Sequence, residues 1–179
     1  MSTVRTMAIY ALGDIEPNVH PDAFVHPDAT VIGEVTIGAE STVWPQAVLR
    51  GDYGSITVGA RTSIQDGSVI HATRELPTSI GDDCVIGHLV HAECCTIESG
   101  VLLGSGSVVL HRVVVRTGAV VGANAVVPNG MEVPSRAMAL GVPATLRLDA
   151  VDPDVVIAPG AHNYIRNGQR YRTELRRLD

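Results

Sequence analysis

Four residues in the middle of the chain, His71, His88, His91 and Glu93, are of the types that hold transition metals and move protons near neutral pH. Neutral imidazoles with a carboxylate suit zinc, ferrous iron or cobalt, and a coordination position left open to water makes such a site catalytic rather than structural. Arg50, Asp52, Gln65 and Asp66 come shortly before them and add charge and hydrogen-bonding capacity. Arg50 and Asp52 read equally well as a structural ion pair between subunits. Taken singly, any one histidine is more often an ordinary polar residue than a ligand, and His91 alone reads as an interface residue. His20, His26, His111 and His162 have no comparable partners along the chain and read as surface or turn residues.

Composition removes other chemistries. All 13 basic residues are arginine, and without lysine there is no Schiff base, cofactor aldimine or Walker-type phosphate contact. A net charge of −6 leaves no electrostatic footprint for nucleic acid or anionic lipid. The run Arg166, Arg170, Arg172, Arg176 and Arg177 reads as a solvated or packed helix face. No apolar stretch has the length of a membrane helix and no secretory pattern opens the chain, so the expected location is cytoplasmic. Cys84, Cys94 and Cys95 fit neither a disulfide frame nor a thiolate zinc site, and read as small fillers.

What positions the candidate ligands is a repeat. The 179 residues make one ordinary domain, and with aromatics at only 3% its core must be Val, Ile, Leu and Ala. Pairs of an aliphatic residue and glycine, such as Ile37-Gly38, Val58-Gly59, Ile86-Gly87 and Val121-Gly122, belong to a ladder of aliphatic residues in steps of six. It runs Val25, Val31, Ile37, Val43, Leu49; Val58, Ile64, Ile70; Ile80, Ile86, Ala92; and Ile97 through Val127. A period of six suits a short β-branched strand followed by a tight turn, three times per coil. Gly59, Asp82 and Asn124 are expected to supply turn conformations that β-branched residues avoid. The predicted fold is all-β, a triangular parallel β-helix of about six coils over residues 1–150, followed by a helical segment over 151–179. Insertions at 50–54 and around Arg74-Glu75-Leu76-Pro77 are expected to bulge from corners. The helix is expected to break at Pro159-Gly160 and run on to Leu178, with Tyr164, Tyr171, Leu175 and Leu178 on one docking face.

The register converts sequence into approximate position. Val31, Leu49, Ile70, Ala92, Val109 and Val127 share one face, so Arg50, His71 and Glu93 stack in successive coils about one strand spacing apart. Trp44, Gln65 and Gly87 stack on the preceding face, and Asp66 lies beneath His88. His71 and Glu93 fall toward one edge of a face and His88 and His91 toward the other. Three chains packed with these faces adjacent would bring His71 and Glu93 of one to His88, and to His91, of the next.

Arg50-Gly51-Asp52, Gln65-Asp66-Gly67-Ser68 leading to His71, Gly87-His88 and the closing Gly141-Val142-Pro143-Ala144 resemble, in order, the landmarks of the γ-class carbonic anhydrases and their hexapeptide-repeat relatives. The resemblance runs from about Ala29 to Ala144 and extends to the helical tail. It implies a left-handed β-helix, a homotrimer, and a metal, zinc or else Fe2+ or Co2+, at each subunit interface. It carries His71 and His88 onto two of the family's three metal histidines, while Glu93 stands where the third is usual. Either Glu93 ligates directly, or His91 takes the role, or the site binds metal poorly; stacking over His71 favours Glu93. Arg50, Asp52, Gln65 and Asp66 match positions that form the interface and orient the reacting water, and Asn163 and Tyr164 resemble a helix motif near the site. The implied activity is reversible hydration of carbon dioxide to bicarbonate. Tyr53 and Arg74 stand in the corner loops where strongly active members carry proton-transfer glutamates. The alternatives are a catalytically weak trimeric metal-binding or scaffold protein, and a coenzyme A-dependent acyltransferase or thioesterase with His111 as its base.

Overall fold

The structure is a computed structural model that describes residues 8–178; the part of the expected 1–150 span before Ala8 lies outside the described residues. Short parallel strands stack into three faces of a left-handed β-helix. On the first face the inward residues are Ile9, Val31, Leu49, Ile70, Ala92, Val109 and Val127. Val19, Ile37, Val58, Ile80, Ile97, Val115 and Val133 line the second. Val25, Val43, Ile64, Ile86, Leu103, Val121 and Ala139 line the third. The hexad ladder is therefore the core itself, with almost every member inaccessible to water. Ile9 and Val19 add a coil before the ladder's first residue, which brings the stack to about seven turns.

The turns divide their work differently from the sequence expectation. Gly59 has an ordinary φ; it is small because a Cβ there would lie 2.6 Å from the Gly81 carbonyl carbon of the next coil. The left-handed residue comes two positions after each glycine, at Glu40, Arg61, Asp83, Leu89, Gly106 and Asn124. Asn124 thus does what was expected of it, while Asp83 rather than Asp82 adopts the positive φ. Asp82 instead accepts a hydrogen bond from the Ala60 backbone N–H at 2.8 Å.

The outward residues make the three faces unlike one another. Thr36, Thr57, Ser79, Thr96 and Glu132, with Val114 as the apolar exception, leave the second face mostly polar and exposed. The third face presents Phe24, Thr42, Ser63, Val85 and Val120, all buried, because residues 151–174 lie across it. Helix α1 (Pro153–Val156) is capped by the Asp152 side chain, and α2 (Ala158–Glu174) follows after Ile157. Pro159 and Gly160 do not break the helix: proline sits in its first turn, where no intrahelical N–H partner is lost. Tyr164 and Tyr171 dock on Trp44 with ring centroids 6.0 and 5.0 Å away, and Phe24 completes the cluster. Leu175 and Leu178 lie beyond the end of α2 and are exposed, so the docking face is shorter than the spacing suggested. On the first face Val48, Val69, Val108 and Val126 point outward in a column interrupted by His91, and nothing among the described residues covers it as residues 151–174 cover the third.

Candidate metal centre

Ladder pairing puts Arg50 opposite His71 and His71 opposite Glu93. The column follows Leu49, Ile70 and Ala92, whose side chains point inward, so pleating turns the next side chains outward at the corner. The four residues Asp52–Ser55 stand against the single Glu34 of the neighbouring strand, and this surplus swells the corner at Gly51 and swings Asp52 across to the ring of His71. The Arg50 guanidinium pairs with Asp52 within the same chain. The other insertion forms a small bridged loop between Thr73 and Leu76.

His71 is the centre of the network. Its side chain is 13% exposed, with Nδ1 2.8 Å from Glu93 Oε1 and Nε2 3.2 Å from Asp52 Oδ1. Partial burial works against the charge on Glu93, but hydrogen bonds and attraction from His71, with smaller help from His91 and His111, hold its carboxyl below the usual range. Asp52 is likewise lowered: burial opposes ionisation, and the Arg50 and His71 hydrogen bonds outweigh it. One imidazole thus stands between two ionised carboxylates. It can satisfy both only by carrying two protons, or by giving one nitrogen to a cation. That donor set fits a divalent metal.

The second oxygen of Glu93 faces other nitrogens. His91 Nε2 is 3.3 Å and His111 Nε2 is 3.5 Å from Oε2. His111 therefore is not the unpartnered turn residue its sequence neighbours suggest. Cys94, behind Glu93, brings a sulfur within 4.8 Å of donor atoms of both Glu93 and His111. All three cysteines are buried and unpaired, as fillers should be, and burial pushes the thiols of Cys84 and Cys95 up to about 11 and about 12.

At the opposite edge His88 Nδ1 is 3.0 Å from Asp66 Oδ2. Both side chains are 50% exposed, and no other hydrogen-bonding side chain meets His88 among the described residues. Within one chain His88 and His71 are held apart by the width of the face. Gln65 is buried in the column between Trp44 and Gly87. Tyr164 belongs to the aromatic cluster on Trp44, and Asn163 accepts a hydrogen bond from Arg166 on the exposed side of α2.

Comparison with known proteins agrees with the fold. The family described as hexapeptide repeat of succinyl-transferase matches residues 77–88 and 95–129. Gamma carbonic anhydrase 2 of Arabidopsis thaliana mitochondria is 38% identical over 168 residues, 90% of this chain, and the chain spans 60% of that relative's length. Carnitine operon protein CaiE of Proteus sp. is 37% identical over 149 residues, covering 83% of this chain and 76% of CaiE. The crystal structure of a hexapeptide transferase family protein from Anaplasma phagocytophilum superposes with a TM-score of 0.87 at 32% identity, over 92% of this chain and 98% of that one. The ordered landmarks, the coil register and these likenesses converge: the chain belongs to the γ-class carbonic anhydrase and hexapeptide-repeat family.

Proposed function

We propose that the protein is a metal-dependent, carbonic anhydrase-like homotrimer that hydrates carbon dioxide at its subunit interfaces. The observation that carries this reading is the separation of His71 from His88 on one uncovered apolar face. Each edge has a histidine oriented by a carboxylate, and neither edge is a complete site. Val69 and Leu89, 37% and 69% exposed beside this face, favour burial against a second copy.

In this reading His71 and Glu93 of one chain and His88 of the next hold zinc, with Fe2+ or Co2+ as the other suitable ions and His91 as the alternative to Glu93. Bound there, such a metal supplies Lewis acidity that lets a water lose its proton near neutral pH. Asp66 fixes the ring of His88 through Nδ1, which leaves its Nε2 free to ligate. Arg50 keeps Asp52 ionised, and Asp52 holds the second ring nitrogen of His71 or accepts a proton from the reacting water. Gln65, with both donor and acceptor on one amide, orients water or substrate, and Asn163 and Tyr164 border the site from the helix. Outward valines make a wall suited to a small uncharged molecule. Three unpaired thiols accord with a reducing cytoplasm.

The test measures metal per chain and carbon dioxide hydration in the wild type and in His71→Ala, His88→Ala and the double variant His91→Ala/Glu93→Ala. Each substitution is expected to lower metal affinity by about 100-fold or more, at the upper end of what even outer-shell partners cost. Unchanged metal content in the double variant overturns the ligand set. Full metal occupancy with no hydration favours the alternative, a trimeric metal-binding scaffold. The acyltransferase alternative loses support from His111, whose ring faces Glu93 rather than standing as a lone base.

A further inference from the structure

We infer that Glu93, Cys94 and His111 form a second transition-metal site, built entirely within one chain and sharing only the Glu93 carboxylate with the proposed interface site. Glu93 divides its two oxygens between different neighbours. Oε1 meets His71 Nδ1 at 2.8 Å, an ordinary hydrogen bond, whereas Oε2 lies 3.3 Å from His91 Nε2 and 3.5 Å from His111 Nε2. A good N–H···O bond is about 2.9–3.0 Å long. The edge of a tetrahedron with metal–ligand bonds of about 2.1 Å is about 3.4 Å. The contacts at Oε2 thus have the spacing of ligands around an ion, which leaves Oε1 to the His71 side.

The sulfur adds a third kind of donor. Cys94 Sγ lies within 4.8 Å of a Glu93 oxygen and a His111 nitrogen, and its one hydrogen-bond partner is the Thr73 hydroxyl at 3.4 Å. Cys94 sits at a left-handed corner, φ 55°, where the ladder shortens to five residues between Ala92 and Ile97. That missing residue turns the thiol toward the Glu93 and His111 side chains instead of leaving it at an ordinary corner. A thiolate, an imidazole and a carboxylate, with His91 as a fourth donor, select zinc or cobalt over magnesium or calcium. Binding displaces the thiol proton to solvent and forms a metal–sulfur bond. The corner of the fifth coil then holds one metal with donors from a single chain.

Cobalt(II) makes the site visible, because thiolate ligation produces a sulfur-to-metal charge-transfer band in the near ultraviolet. Metal-free full-length protein titrated with Co2+ is expected to develop this band in the wild type and equally in His88→Ala, which removes a ligand from the proposed interface site only. Cys94→Ser is expected to lose the band, and His111→Ala to weaken cobalt binding at least tenfold, each with unchanged far-ultraviolet circular dichroism. Absence of the band in wild type, or its persistence in Cys94→Ser, overturns the inference. Should the serine variant fail to fold, loss or retention of tenfold affinity in His111→Ala decides. Loss of interface metal in His88→Ala with the band intact separates this site from the trimer reading, and either can fail alone.

Discussion

The first and third faces of the β-helix carry the same kind of outward surface and meet different ends. On the third, Phe24, Val85 and Val120 disappear beneath residues 151–174, and Trp44 donates from Nε1 to Thr42 and Ser63 while its ring takes the tyrosines of α2. On the first, Val48, Val69, Val108 and Val126 receive no cover from their own chain, and the histidines lie along the two edges of that same face. The second face, threonine and serine outward, shows what this fold does with a surface meant for water. In the proposed trimer this bare apolar face, between a covered one and a wet one, is the surface that would meet a second copy.

Leu89→Asp should have the largest effect on this comparison. A carboxylate pressed into an apolar interface costs several kcal/mol, of order the penalty for burying an ion. The expected outcome is monomers in analytical ultracentrifugation and loss of interface metal together; a trimer that survives breaks the comparison. Trp44→Ala attacks the covered face instead. Removing a buried tryptophan with three ring contacts should cost about 3–5 kcal/mol in urea unfolding and free α2, measurable by faster amide exchange, while the coil register persists.

Smaller effects follow from His71. His71→Ala leaves Asp52 and Glu93 without the ring between them, a loss of about 1–3 kcal/mol in metal-free protein, while the half-exposed His88→Ala costs little. Because both carboxyls are depressed in the folded state, their contribution is present above the unfolded values near about 4 and fades as pH falls through the folded ones. Acid unfolding followed by circular dichroism should therefore flatten in His71→Ala and keep its shape in His88→Ala. Thr57→Asp on the wet face should be the smallest change, within about 0.5 kcal/mol and without effect on association.

Much of the fold was legible because a β-helix coil converts distance along the chain into position almost mechanically. One aliphatic residue per hexad points inward, so His71 and Glu93, each one residue past an inward position, had to stack. Asp66 beneath His88 followed in the same way, and both pairs are hydrogen-bonded. His111 escaped because it lies two residues past Val109, one place off that column, and reaches Glu93 diagonally across a corner. A signal was present in the five-residue step from Ala92 to Ile97, which shifts the corner containing Cys94 relative to its neighbours. The helix break was misplaced because proline reads as a breaker unless its position within the first turn is known.

The sequence by itself determined the coils, the three faces, and which edge each candidate ligand occupies, because strand alternation and hydrogen-bonded stacking are local rules repeated at a constant period. Only the tertiary structure decided which apolar face the helix would cover, and how Glu93 would share its two oxygens. Those outcomes depend on side chains from distant coils meeting at corners, where a shift of one residue redirects a side chain and no periodic pattern records the direction.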